Sequence, residues 1–232
     1  EPPRRAREGS EQELEERQRV KEALAKRETY LATLVEIQQC LLTFESHEKL
    51  ATTPLIPELR TFPYSNVLKL LGTVSQASRV YVFENRHSPG STNILARSDN
   101  IGKTSLLMTQ QTDWCAPELT TAPLANLKFP QDEVFPRWVE ILARGGSITG
   151  IITEFPTILE ACGIQAILVL PLLTKGNLFG FIGFDNCRET RSWDTTEISL
   201  LQAATTAISL AKERQQVELA LKESQQRFAT VL

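Results

Sequence analysis

The chain is predicted to fold as an α/β protein of the α+β kind, a sheet enclosed by helices, and three observations predict it. Two apolar runs, Ala166–Leu173 and Leu178–Phe184, flank the turn Thr174-Lys-Gly-Asn177 and read as a hairpin. Arg79-Val-Tyr-Val-Phe83 is apolar on both alternating faces, the mark of a central strand. Both ends of the chain carry long charged stretches with a narrow apolar seam, the pattern of long exposed helices.

The first thirty residues hold eight acidic and eight basic side chains. Their order favours helix over disorder: Glu13–Arg17, Glu15–Arg19 and Glu22–Lys26 are acid-before-base pairs at i,i+4. Val20, Leu24, Leu31, Leu34 and Leu41 follow heptad spacing, interrupted by Arg27 and Gln38, so one helix is predicted from Glu11 to Phe44. Such a helix needs a partner helix. Pro54, Pro57 and Pro63 make Glu45–Pro63 a loop with a short helical turn. Asn66–Ser75 reads as a short amphipathic helix with Val67, Leu68, Leu70 and Leu71 inward.

After the Arg79–Phe83 strand, His87–Thr92 reads as a turn and Asn93–Lys103 as an inserted hairpin or loop. A strand is expected within Leu106–Thr112, then a long irregular connection from Cys115 to Val134 containing Pro117, Pro123 and Pro130. Phe135–Ala143 is a helix stopped by Gly145-Gly146, Ile148–Phe155 a strand and Thr157–Cys162 a short helix. In the hairpin that follows, Pro171 marks an edge or a bulge, and Gly180 and Gly183 imply close approach of a backbone or a ligand. The last helix opens on a capping box of Asp194 and Glu197, with Trp193 and Ile198 as its hydrophobic staple. Its apolar face passes through Leu201, Ala204 and Ile208, and a thinner seam continues at Leu210, Val217 and Leu221.

The net charge of −3 gives no basis for nucleic-acid binding. No apolar run approaches the roughly 20 residues of a membrane span, and the polar N-terminus is unlike a signal peptide. No direct membrane contact and a cytoplasmic location are therefore expected. Cys40, Cys115, Cys162 and Cys187 are scattered and read as reduced thiols. With only His47 and His87 beside them, they form no metal-ligand spacing. P-loop, zinc-protease and nucleophile-elbow motifs are missing, so the fragment reads as non-catalytic.

The stretch from about Leu31 to Gln216 resembles the GAF family of sensory domains, as found in bacterial multi-sensor histidine kinases and diguanylate cyclases. The resemblance is carried by Arg79-Val-Tyr-Val-Phe-Glu-Asn85, Asp113-Trp-Cys-Ala-Pro117, Phe135-Pro-Arg-Trp138, Phe181-Ile-Gly-Phe-Asp-Asn-Cys187 and Arg191-Ser-Trp193. Ala220–Phe228 is similar to the opening of a PAS domain. The family implies an antiparallel sheet of five or six strands, with the terminal helices on one face and a pocket on the other. On this reading residues 1–34 form a coiled-coil linker, 35–212 the GAF domain and 213–232 an outgoing signalling helix. A parallel homodimer through the terminal helices is expected to relay a signal, and a spacer without ligand is the alternative.

The resemblance also defines which ligands to expect. Cyclic-nucleotide-binding members carry Asn-Lys, Phe and Asp-Glu where this chain has Asp185-Asn186, Trp193 and Thr196-Glu197, so a cyclic nucleotide is not expected. Bilin-binding members attach the chromophore through Cys-His on a helix; the helix around Trp138 has neither residue, and Ala116 replaces the Phe of a second cysteine motif. A covalent bilin is not expected. Neither is haem, since neither histidine is placed as an axial ligand. A thiol-dependent reductase would have to use Cys115. Tyr81, Phe83, Trp114, Cys115, Trp138, Phe181 and Phe184 are the candidates to line a pocket for an unidentified small molecule, with packing in the core as their competing role.

Overall fold

The computed structural model describes residues 2–50, 62–85, 108–119, 136–151, 163–191 and 193–231. In chain order the elements are α1 (Pro2–Leu50), α2 (Tyr64–Ser75), β1 (Arg79–Asn85), β2 (Met108–Cys115), α3 (Pro136–Ala143), β3 (Ile148–Ile151), β4 (Ala166–Thr174), β5 (Asn177–Asn186) and α4 (Thr195–Val231). The strands form one sheet in the order β2-β1-β5-β4-β3, and every neighbouring pair is antiparallel. An antiparallel five-stranded sheet flanked by long terminal helices is the architecture expected from the sequence.

Local chemistry explains several boundaries. The β4–β5 loop is the two-residue turn Lys175-Gly176 with φ of 49° and 75°, the positive values of a tight turn whose twist matches its strands. Helix α3 ends in a Schellman motif: Gly145, at φ 80°, donates to the Leu142 carbonyl, and Gly146 donates to that of Ile141. Pro171 lies two residues beyond the last β3–β4 pair, next to the irregularity at Leu172/Leu173, so its missing N–H costs no ladder bond to β3.

Some elements differ from expectation. Helix α1 runs on to Leu50, because the nearest helix breaker after Phe44 is Pro54. Pro2 and Pro3 are tolerated at its start, where backbone donors have no helical partner. Strand β2 reaches Cys115 rather than Thr112, so Trp114 and Cys115 belong to the sheet. The predicted turn at His87–Thr92, the Asn93–Lys103 insertion, the Thr157–Cys162 helix and most of the Cys115–Val134 connection lie outside the described residues. The same holds for the predicted strand beyond Ile151.

Each face of the sheet carries its own core. On one side α1, α2 and α4 pack over Val80, Val82, Leu168, Leu170, Leu172, Ile182 and Phe184, all fully buried. On the other, α3 contributes Trp138, Val139 and Leu142 above Tyr81, Phe83, Phe181, Ile167 and Val169. This follows from strand alternation: neighbouring residues of β1 and of β4 point to opposite faces. No described helix is long and apolar enough to cross a membrane.

Candidate functional site

The α3 face is where a sensory pocket is expected, and the structure places four of the candidates there. Tyr81 and Phe83 project from β1 and Phe181 from β5, while Trp138 reaches the same cluster from α3. Phe83 and Phe181 stack with ring centroids 5.1 Å apart. Tyr81 meets both edge-on, at 5.7 Å from Phe83 and 6.5 Å from Phe181. Cys115 opposes Arg79 in the β1–β2 register and so shares its face.

Two candidates point the other way. Phe184 is buried in the helix-side core. Trp114 opposes Val80 and packs against α2, so closely that a β-carbon on Gly72 would overlap its indole. Neither can line a pocket on the α3 face. Their positions in β5 and β2 have the parity of Ile182 and Thr112, and only the strand register reveals which parity faces α3.

Beneath the aromatic cluster lies a polar group that the sequence analysis did not single out. Arg79 and Asp185 oppose each other on β1 and β5, both completely buried. Arg79 donates to Asp185 Oδ2 from Nε at 2.9 Å and from Nη2 at 2.6 Å. The Tyr81 hydroxyl donates to Oδ1 at 3.1 Å, and the guanidinium lies 6.0 Å from the Tyr81 ring centre. Burial pushes the Asp185 carboxyl up to about 6, against the charge and hydrogen bonds of Arg79 and the Tyr81 hydroxyl. Gly183, between Phe181 and Asp185 on the same face, leaves the space that the Tyr81 ring fills.

A cavity opens beside α2, lined by Gly72, Gln76, Trp114, Glu118 and Arg188, whereas the α3 face holds Tyr81, Phe83 and the ion pair buried. That face is poorly suited to thiol chemistry: burial, then the neighbouring Asp113 charge, raises the Cys115 thiol, which disfavours the thiolate that attack requires. Helix α3, Pro-Arg-Trp-Val-Glu-Ile-Leu-Ala, offers no attachment thiol for a bilin. His47 lies in α1, His87 lies outside the described residues, and no metal-binding cluster exists among the described residues.

A second constellation sits where α4 leaves the domain. Both halves of the capping box form: the Asp194 amide donates to Glu197 Oε2 and the Glu197 amide to Asp194 Oδ1, each at 2.8 Å. Glu197 is buried, and its other oxygen collects Arg191 at 2.5 Å, Lys26 at 2.8 Å and the Tyr30 hydroxyl at 3.3 Å. Lys26 also reaches Asp194 at 3.1 Å. Burial works against the Lys26 ammonium, but its bonds to Glu197 and Asp194 outweigh that and raise its pKa. Burial and the Glu197 charge likewise raise the Tyr30 phenol. The incoming and outgoing helices thus meet on one carboxylate.

Further along α4, Lys212 pairs with Glu84 at 3.0 Å and lies over the rings of Phe62 and Tyr64, at 5.1 and 5.6 Å. Ser209 accepts the Leu173 amide at 3.1 Å and Glu213 accepts the Lys175 amide at 3.3 Å. The helix is therefore braced to the end of β1 and to the β4–β5 turn just before it leaves the sheet.

Comparison with known proteins agrees with this architecture. The blue-light-absorbing form of the PixJ GAF domain of Thermosynechococcus elongatus has the same fold, with a TM-score of 0.54 at 17% identity over 84% of this chain and 95% of that one. The photoproduct state of GAF3 from Slr1393 of Synechocystis sp. PCC6803 gives 0.51 at 17% identity, over 68% of this chain and 96% of that one. In sequence the chain is 32% identical over 151 residues to the methanogenesis regulatory histidine kinase FilI of Methanothrix harundinacea (strain 6Ac). That match covers 62% of this chain and only 15% of the kinase. The GAF domain family model matches residues 64–211, and the chain belongs to the GAF family.

Proposed function

We propose that residues 35–212 are a regulatory sensor domain of a larger signal-transduction protein, a sensor histidine kinase, and that the terminal helices relay its state as a parallel homodimer. One observation carries this reading: both helices expose apolar residues at heptad spacing on surfaces the domain does not cover. On α1 these are Leu24, Leu31, Val35 and Leu42, each more than two-fifths exposed. On α4 they are Leu210, Val217, Leu221 and Phe228, each more than half exposed. Two such stripes on one chain suit a second copy of it, since a 3.5-residue apolar repeat is satisfied by another helix. The similarity to a regulatory histidine kinase supports the choice of output. The PAS-like stretch Ala220–Phe228, continuous with α4, supports a further domain beyond it.

The signal would be a small molecule with an apolar or aromatic part, received over Tyr81, Phe83, Phe181 and Trp138. Occupancy would shift the population between two arrangements of the terminal helices. Light scattering of the purified chain tests the dimer: twice the chain mass is expected, reverting to a monomer in Leu31→Asp/Leu221→Asp. A monomer at high concentration overturns the reading. Native mass spectrometry tests the ligand, and binding that Phe181→Ala leaves unchanged removes this surface as its site.

A further inference from the structure

The Lys26–Glu197 contact joins residues 171 positions apart, on the first and last helices of the chain. Three features set it apart from a surface ion pair. The carboxylate is buried, its side chain only 3% exposed, so an unpaired charge there is costly. It belongs to the capping box and cannot move without disturbing the first turn of α4. Its α1 partners, Lys26 and Tyr30, stand one turn apart on one helix face, which also buries Ile37 and Leu41.

The charges along that face favour one height. One turn before Lys26 stands Glu22, at the i−4 position. Sliding α1 by a turn, about 5.4 Å, would in one direction bring Glu22 against Glu197 and Asp194. In the other direction Tyr30 would take the place of Lys26, leaving the buried carboxylate with Arg191 but without the Lys26 ammonium. A like-charge contact and a missing partner both disfavour the neighbouring registers, as a buried polar residue does in a coiled coil.

We infer that Lys26 and Glu197 form a register lock that sets the height of the incoming helix α1 along the outgoing helix α4. Glu197 is the positioning residue, acting on α1 through Lys26. Any longitudinal movement of α1 past α4 has to break this contact, so a signal between the two ends of the chain is gated here. That consequence rests on the relay reading above; the lock itself does not.

Hydrogen exchange measured by mass spectrometry on the whole chain tests it, comparing Lys26→Ala, Lys26→Arg and Lys26→Glu with the unaltered protein. Lys26 is partly exposed and outside the capping box, so these variants leave the domain's own folding elements in place. Expected is about tenfold faster exchange in α1 over residues 20–34 for Lys26→Ala, more for Lys26→Glu, and recovery in Lys26→Arg. Peptides from β1 and β5 should exchange as before. Unchanged protection of α1 in Lys26→Ala overturns the lock, as does equal loosening of the sheet or failure of Lys26→Arg to restore protection. Light scattering on the same samples keeps the two proposals apart: a dimer with unaltered α1 exchange defeats the lock alone, and a monomer with locally faster α1 exchange defeats the relay alone.

Discussion

Arg79 and Asp185 meet across the β1–β5 pair with no solvent access, two guanidinium bonds falling on a single carboxylate oxygen. A pair held this way is strongly interdependent. Removing one partner takes hydrogen bonds from the other in a medium that solvates charge poorly.

Asp185→Asn keeps the shape and an acceptor for Arg79, and because burial already disfavours the carboxylate charge, the loss is expected to stay at about 1–3 kcal/mol. Urea unfolding followed by tryptophan fluorescence measures this. A loss below 1 kcal/mol, on the scale of an exposed pair, would show that Arg79 finds another partner.

The same carboxyl predicts a pH dependence. Its folded value of about 6 lies above the ordinary 3.8, so the native state holds this proton more tightly than the unfolded chain. Its contribution to stability is therefore greatest below about 3.8, declines as pH rises to about 6, and is level above that. Thermal melts across this window should show the decline in the unaltered protein and its absence in Asp185→Asn. Parallel profiles would refute the assignment.

Gly180 and Gly183 should differ in their tolerance of alanine. A β-carbon on Gly183 would strike the Tyr81 ring, a side chain that can swing away at the expense of its bond to Asp185. On Gly180 it would strike the Phe83 carbonyl oxygen, and backbone cannot yield without breaking strand pairing. Gly183→Ala is expected to cost about 1–3 kcal/mol and Gly180→Ala more. Comparison of their urea midpoints checks the order.

Lys212→Met keeps the aliphatic stem against Phe62 and Tyr64 but removes the charge facing Glu84. A loss of about 1–2 kcal/mol is expected, drawn from the ion pair and the cation–π contacts together. Glu84→Gln should then cost less in the Lys212→Met background than in the unaltered protein, the remainder coming from the Tyr64 hydroxyl that also donates to Glu84. Additive losses in this double-mutant cycle would contradict the brace.

The pocket candidates show where sequence reasoning stops. Tyr81 and Phe83 share a face by alternation within one strand, and both lie beneath α3. Phe181 and Phe184 sit three apart on β5 and so fall on opposite faces, which alternation could have told from the sequence. Which of the two joins Tyr81 could not be read, because it depends on the β1–β5 register. Trp114 lines a cavity, but on the α2 side: with β2 expected to end at Thr112, its residue read as loop rather than as a strand position facing α2.

What the sequence determined by itself is local. The capping box at Asp194 and Glu197, the Lys175-Gly176 turn and the Gly145-Gly146 helix stop each depend on atoms within five residues of one another. Steric limits and nearby hydrogen bonds dictate such features wherever the segment sits. Arg79 with Asp185, Lys26 with Glu197, and Lys212 with Glu84 were decided only by the tertiary structure. Apart from Glu197, already placed in the capping box, each partner alone reads as an ordinary charged residue. Burial is what makes these pairs matter, and burial exists only once strands and helices distant in the chain have packed together.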